Sequence, residues 1–247
     1  MPSNLYDSRL AADETADAMT LDLPSEELTA RPGLRGLYRR LRSNNPYEGS
    51  WAKYYDFILC VPPIGQIRRS EERTMDRLME AAFRPTDRLL EIGPGTGRTT
   101  VQFADRVAHV TAVEQSAEMV ELLYQRLARE GVGNCSVLHG DFAETPFPEQ
   151  FDVVALIGVL DYIPDPQPFL LRAARLARRE LLFTTPHCRS LARLFRASNR
   201  TRGVHISLYT PEQIRAYLPG FAVEVQETGL RTRLWAGMTL ACRAVRL

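Results

Sequence analysis

The stretch Arg88-Leu89-Leu90-Glu91-Ile92-Gly93-Pro94-Gly95-Thr96-Gly97-Arg98 decides how this chain reads. A short apolar run ends in three alternating glycines, and a helix opens behind them. Glycine there lets the backbone turn sharply after a strand and lets a ligand approach with no Cβ in the way. The spacing argues against two other loops. A dinucleotide fingerprint needs its third glycine at position 98, where Arg98 stands, and a P-loop needs G-K-[ST], which is absent. Tight cradling of a pyrophosphate is therefore poorly supported.

The same alternation continues on the C-terminal side. His109 to Val113, Cys135 to His139, Phe151 to Ile157 and Glu180 to Thr185 are short apolar runs bounded by turn residues, and each predicts a buried strand. Ala117 to Glu130 and Pro166 to Arg178 between them predict helices. Strand and helix in alternation predict a parallel sheet covered on both faces. Thr210-Pro211-Glu212-Gln213 is a helix start, with a cap, a proline in the first turn and a glutamine three residues after the cap. Phe221 to Val225 and Trp235 to Ala244 predict two closing strands, an antiparallel hairpin at the sheet edge. On the N-terminal side Ile64 to Phe83 has helical period. Before it lies the aromatic run Trp51 to Leu59, broken by Pro62-Pro63.

The composition sets outer bounds. The chain has 247 residues, 45% hydrophobic and 25% charged, enough for a full globular core. A net charge of +1 gives no overall pull toward nucleic acid. The four cysteines form no C-x-x-C pair, which favours a reducing, cytoplasmic compartment over a disulfide framework. Met1 to Asp22 has no apolar core of a signal peptide, and no apolar run reaches membrane-spanning length. In residues 33 to 42, Leu34, Leu37, Tyr38 and Leu41 share one helical face with arginines around them. This reads as a surface helix, or alternatively as a basic helix touching a membrane or an acidic carrier. His187 to Arg202 is a second basic segment with the same two readings. The expected organisation is an N-terminal leader and basic amphipathic helix over 1–45, then one domain over 46–247. That domain divides into a helical lid (46–85), a ligand-binding core (86–185), and a substrate insertion with closing strands (186–247).

Glu91-x-Gly93-x-Gly95-x-Gly97 resembles the nucleoside-binding motif of the class I S-adenosylmethionine-dependent methyltransferases, on the small-molecule branch that includes quinone-biosynthesis and natural-product enzymes. The resemblance implies an α/β fold: a Rossmann-like three-layer sandwich with a mostly parallel seven-stranded sheet, an antiparallel C-terminal hairpin and an N-terminal helical extension. It also implies S-adenosyl-L-methionine as cofactor, S-adenosyl-L-homocysteine as product, and a small-molecule acceptor. Glu114 ends the second strand, 21 residues after Gly93, where an acid accepts hydrogen bonds from both ribose hydroxyls; Gln115 follows it. In the family an acid after the third strand takes the adenine amino group and an apolar neighbour covers the ring, places matched by Asp141 and Phe142. Ile157 and Gly158 end the fourth strand, beside the methyl group in the family. Tyr55 falls where relatives fold a lid. Arg69 falls where some relatives bind the methionine carboxylate, although a solvated helix arginine is an equal reading.

Methyl transfer from a sulfonium needs positioning above all, with a base where the nucleophile is a hydroxyl. His205 and Asp161 are the candidate bases, each with a satisfied loop polar group as its plain alternative. His187 and Tyr162 are near the same end of the sheet. No carboxylate cluster clearly supplies a metal. The place of the N-P-P-Y-like sequence of many amino-methylating enzymes reads Ile157-Gly158-Val159-Leu160, against a nucleic-acid substrate. The competing readings are a non-methylating or regulatory protein that binds the same cofactor and, further off, a nicotinamide oxidoreductase. The expected reaction is methyl transfer to an oxygen of a natural product or quinone-like compound.

Overall fold

The computed structural model describes residues 64–163, 165–188, 207–228 and 239–247, with side chains from 69 onward. The leader, the basic helix at 33–42, the aromatic run at 51–59, Tyr55, His205 and most of the basic segment after His187 lie outside the described residues.

Seven strands build one sheet: β1 (Arg88–Ile92), β2 (His109–Glu114), β3 (Cys135–His139), β4 (Phe151–Leu156), β5 (Ala177–Pro186), β6 (Phe221–Thr228) and β7 (Thr239–Arg246). Their order is β3-β2-β1-β4-β5-β7-β6. Every pairing is parallel except the two made by β7, which runs antiparallel to both neighbours. The helices are α1 (Ile64–Ala82), α2 (Arg98–Ala104), α3 (Ala117–Arg129), α4 (Pro166–Leu176) and α5 (Pro211–Tyr217), with a 3-10 turn at Leu160–Tyr162.

Period-two burial makes the sheet a partition between two apolar layers. Leu89, Val153, Ala155, Leu182 and Ala241 join Met75, Leu78 and Met79 of α1 and Phe103 of α2 on one face. Leu90, Val154, Leu156, Leu181, Phe183 and Cys242 join Leu170 of α4 and Ile214 of α5 on the other. Both faces of β1 and β4 are covered, as a near-continuous apolar run requires. Leu89 and Leu90 have no exposed surface, and each such leucine contributes roughly 1.5–3 kcal/mol of transfer free energy. Helix starts follow local chemistry. Ser116 accepts from Met119 N–H at 3.3 Å. Thr210 and Gln213 form the reciprocal capping box that their spacing predicts, at 3.3 and 2.9 Å.

One expectation needs correction. The helix expected through Arg178 stops at Leu176, because Ala177 already pairs with Phe151 and the chain has entered β5. The closing strands pair antiparallel at the sheet edge as expected, with β6 outermost. β7 is inserted between β5 and β6, its apolar residues buried on both faces, and it begins at Thr239 among the described residues.

Candidate functional site

The site is built where the parallel strands end. Gly93, Gly95 and Gly97 all have positive φ, at 66, 57 and 80°. A Cβ on Gly97 would collide with the Leu123 side chain of α3, so this glycine serves packing as well as backbone geometry. A Cβ on Gly95 would meet nothing within 4 Å, so its demand is for the left-handed backbone beside open space.

Glu91 is 1% exposed on the α1–α2 face of β1. The Thr99 hydroxyl donates to its Oε1 at 2.5 Å, while Oε2 has no hydrogen-bond partner among the described residues. Burial pushes the carboxyl up to about 7, against the pull of the adjacent threonine hydroxyls. Glu114 is held differently. Gly95 N–H donates to its Oε2 at 3.0 Å and Ser116 N–H to its Oε1 at 2.9 Å. Burial raises this carboxyl, and those backbone donors oppose the rise. A carboxylate has about four lone-pair sites, so both oxygens retain capacity for further donors. The Gly95–Glu114 bond ties the loop after β1 to the end of β2, which brings the first two expected binding elements together.

The third element is more divided. Asp141 is exposed, and its Oδ1 accepts from Ala143 N–H at 2.8 Å in an Asx-type turn. The Phe142 ring is 4% exposed and packs on Phe169 and Phe147, with the Arg172 guanidinium 5.1 Å from its centroid. Phe142 is thus a core residue whose surroundings are aromatic.

The fourth element reaches the loop directly. Ile157 is partly buried against the α1–α2 layer. Gly158 has φ +70 and donates its N–H to Thr184 Oγ1 at 2.8 Å. Val159 Cγ2 is 2.7 Å from the position of a Cβ on Gly93. Asp161, on the 3-10 turn, is half-buried; burial and the nearby Glu71 carboxyl push it up to about 7. Asp152 is structural as read, accepting from Arg88 N–H at 2.9 Å at the opposite end of the strand. Gln115 and Arg69 are exposed. His187 is buried at the end of β5, bridged to Tyr209. No group of three or more potential metal ligands occurs among the described residues.

Sequence reasoning missed three contacts here: Thr99 on Glu91, Thr184 on Gly158, and the Arg98–Glu72 ion pair at 2.9 Å that binds the start of α2 to α1. A threonine in the first turn after the loop was the one available cue.

Residues 90–183 match the methyltransferase domain family model. The magnesium-protoporphyrin O-methyltransferase of Rhodobacter capsulatus is 31% identical over 165 residues, which cover 62% of this chain and 73% of that protein. This chain belongs to the class I S-adenosylmethionine-dependent methyltransferases. The methyltransferase fold is shared with magnesium protoporphyrin IX methyltransferase from Synechocystis PCC 6803, solved with bound SAH. The TM-score is 0.61 and the identity 20%, over 87% of this chain and 95% of that one. Other curated relatives align over less of themselves. The mitochondrial ribosomal RNA small subunit methyltransferase of Arabidopsis thaliana is 35% identical over 104 residues, 41% of this methyltransferase and 27% of its own length. The chain spans only 4% to 33% of the length of several such relatives. The family places the chain apart from the nicotinamide oxidoreductases.

Proposed function

We propose that this protein transfers the methyl group of S-adenosylmethionine to an oxygen of a small-molecule acceptor. The observation that carries the reading is the set of carboxyls at one end of the sheet. Glu91 has an orphaned buried oxygen, Glu114 has unused acceptor capacity, and Asp161 is poised near neutrality. The first two fit a ligand with an ammonium group and a diol; the third fits an acceptor that must lose a proton. The Rhodobacter capsulatus relative is a magnesium-protoporphyrin O-methyltransferase, which supports both the oxygen and the small molecule.

In this reading Glu91 Oε2 takes the cofactor amino group, the glycine loop lies beside the cofactor, Glu114 takes the ribose hydroxyls, and Asp141 takes the adenine amino group. Bound S-adenosylmethionine supplies a methyl group already activated by sulfonium charge. The protein's own work is to hold the acceptor in line, keep water out and receive a proton at Asp161. Tyr55 belongs to the proposed lid, His205 to the acceptor side as a second base, and Arg69 to the methionine carboxylate. The ribosomal RNA relatives support the same cofactor site. The Ile157-Gly158-Val159-Leu160 sequence after β4 favours a small molecule over a nucleobase. The free thiols Cys135, Cys188 and Cys242 favour a reducing, cytoplasmic setting.

Isothermal titration with S-adenosylhomocysteine tests the cofactor half. Wild type binds, and Glu114→Ala loses about ten-fold or more in affinity, as a hydrogen-bonded acid worth roughly 1.5–3 kcal/mol would require. Folded wild type that binds neither S-adenosylmethionine nor S-adenosylhomocysteine overturns the proposal. Arg69→Ala with unchanged affinity removes that arginine from it.

A further inference from the structure

The turn after β3 closes on itself. The Asp141 carbonyl accepts from Thr145 N–H at 2.8 Å and from Thr145 Oγ1 at 2.7 Å, and Asp141 Oδ1 accepts from Ala143 N–H at 2.8 Å. Its entry is tied to the sheet, where Gly140 N–H donates to the Glu114 carbonyl at 2.9 Å. Its far side is tied to α4 by the Arg172 side chain. Arg172 Nε donates to the Phe142 carbonyl at 3.1 Å, and Nη2 to the Thr145 carbonyl at 2.7 Å. The same guanidinium is 5.1 Å from the centroid of the Phe142 ring, which packs on Phe169 of α4.

Two hydrogen bonds and a ring contact thus run from one guanidinium to one turn. Arginine suits this place for a physical reason. Its planar fork reaches two carbonyls at once while its cation meets an aromatic face. A lysine ammonium is a point charge on a flexible stem and offers no such fork. Arg172 is half-buried, and without it the two carbonyls would lose their partner at a partly covered position.

The turn held in this way presents an acceptor. Asp141 is exposed, and only its Oδ1 is engaged within the turn, by Ala143. A carboxylate has about four lone-pair sites, so Asp141 keeps capacity for a further donor. The Gly140–Glu114 bond sets this acid at the end of β3 beside the end of β2, where Glu114 pairs with His139.

We propose that Arg172 is a positioning residue that acts through Asp141 and makes the site selective for a 6-aminopurine nucleoside over one that lacks the amino group. This rests on the function proposed above, in which Asp141 takes the adenine amino group. A polar contact discriminates best when its acceptor is already in place before the ligand arrives. Bonds inside the turn fix Asp141 relative to the turn. Arg172 fixes the turn relative to α4 and, through the Phe142 ring, relative to the core. Without the guanidinium the turn keeps its internal bonds and loses its seat, and the carboxylate is no longer held within reach of the amino group.

The test is isothermal titration of the full chain with S-adenosylhomocysteine and with its purine-riboside analogue, which lacks only the 6-amino group. Wild type prefers S-adenosylhomocysteine by about ten-fold or more, as a hydrogen bond to a charged group implies. Arg172→Ala brings that ratio to within about three-fold, chiefly by weakening S-adenosylhomocysteine. Asp141→Ala does the same, and the double variant changes the ratio no further, as residues acting through one another should. Arg172→Lys keeps the charge and the stem but loses the fork; it serves where Arg172→Ala does not fold, and it too loses most of the preference. A role in stability alone would lower the unfolding midpoint of the Arg172 variants and leave the ratio at its wild-type value. That result overturns the proposal, as does a wild type that binds both ligands equally or an Asp141→Ala variant that keeps the preference. Folded wild type that binds neither ligand would instead remove the underlying function, so the two failures are told apart.

Discussion

The two ends of the sheet treat their acids in opposite ways. At the amino end, the buried acids Asp87 and Glu180 each have an arginine. Asp87 is 2% exposed and receives Arg179 at 2.7 and 3.0 Å; Glu180 is 4% exposed and receives Arg243 at 2.7 and 3.1 Å. The same two arginines donate to the Ala82 and Ala81 carbonyls, at 2.6 and 3.2 Å, so they also cap the C-terminal end of α1. At the carboxyl end, Glu91, Glu114 and Asp161 are held by hydroxyls, backbone N–H groups and each other's neighbourhood, and burial raises all three. A buried acid with its cation supplied is a structural element. A buried acid with spare acceptor capacity is a place for something that is not protein.

The sharpest way to break this contrast is at the structural end. Arg179→Ala leaves Asp87 buried without its main cation and the last turn of α1 without a cap. The expected cost is about 3 kcal/mol in chemical denaturation, with S-adenosylhomocysteine affinity held within about two-fold. A large affinity loss would mean that the ends are not separable.

Glu91→Gln probes the other end, and with the opposite sign. The Glu91 carboxyl is raised from 4.5 to about 7 in the folded chain. Its ordinary unfolded value lies lower, so the stability it contributes is complete below about pH 4.5 and is lost as pH climbs through 7. Glutamine does not titrate. Relative to wild type, the ligand-free variant should therefore gain stability between pH 5 and pH 8, up to about 3 kcal/mol, while binding S-adenosylhomocysteine more weakly. A gap between the two proteins that does not change with pH would show that Glu91 is already compensated.

Thr210→Ala gives the smallest effect. It removes one side of the capping box of α5, which belongs to neither end's charge pattern. It should cost about 1 kcal/mol in the same unfolding assay and leave cofactor affinity unchanged. A change in affinity would extend the site toward the segment in which Ser207 N–H donates to the Asp161 carbonyl.

Much of this was legible in the chain itself. The five parallel strands announce themselves as apolar runs ending in turn residues, and the resemblance of the Glu91–Gly97 stretch, with Glu114 after the next strand, to the class I methyltransferases implied the cofactor. The Thr210 cap was readable because a capping box is complete within four residues. Phe142 was harder. Its place after Gly140-Asp141 matched the family's ring-covering residue, but its neighbours Phe147, Phe169 and Arg172 come from other segments and draw it into the core. The end of α4 was misread because alanine and arginine suit a helix as well as a strand, and the pairing of Ala177 with Phe151 settles it.

The sequence alone therefore determined the layer architecture and the glycine loop, since burial period, turn chemistry and glycine spacing are local properties; the cofactor was implied by the resemblance of that loop to a family. The tertiary structure alone decided that β7 lies between β5 and β6, and which acids are neutralised. Arg179 reaches Asp87 across 92 residues and Arg243 reaches Glu180 across 63. A carboxyl's state depends on the charges and solvent a few ångströms away, and which groups those are is fixed only once the sheet has brought distant segments to the same end.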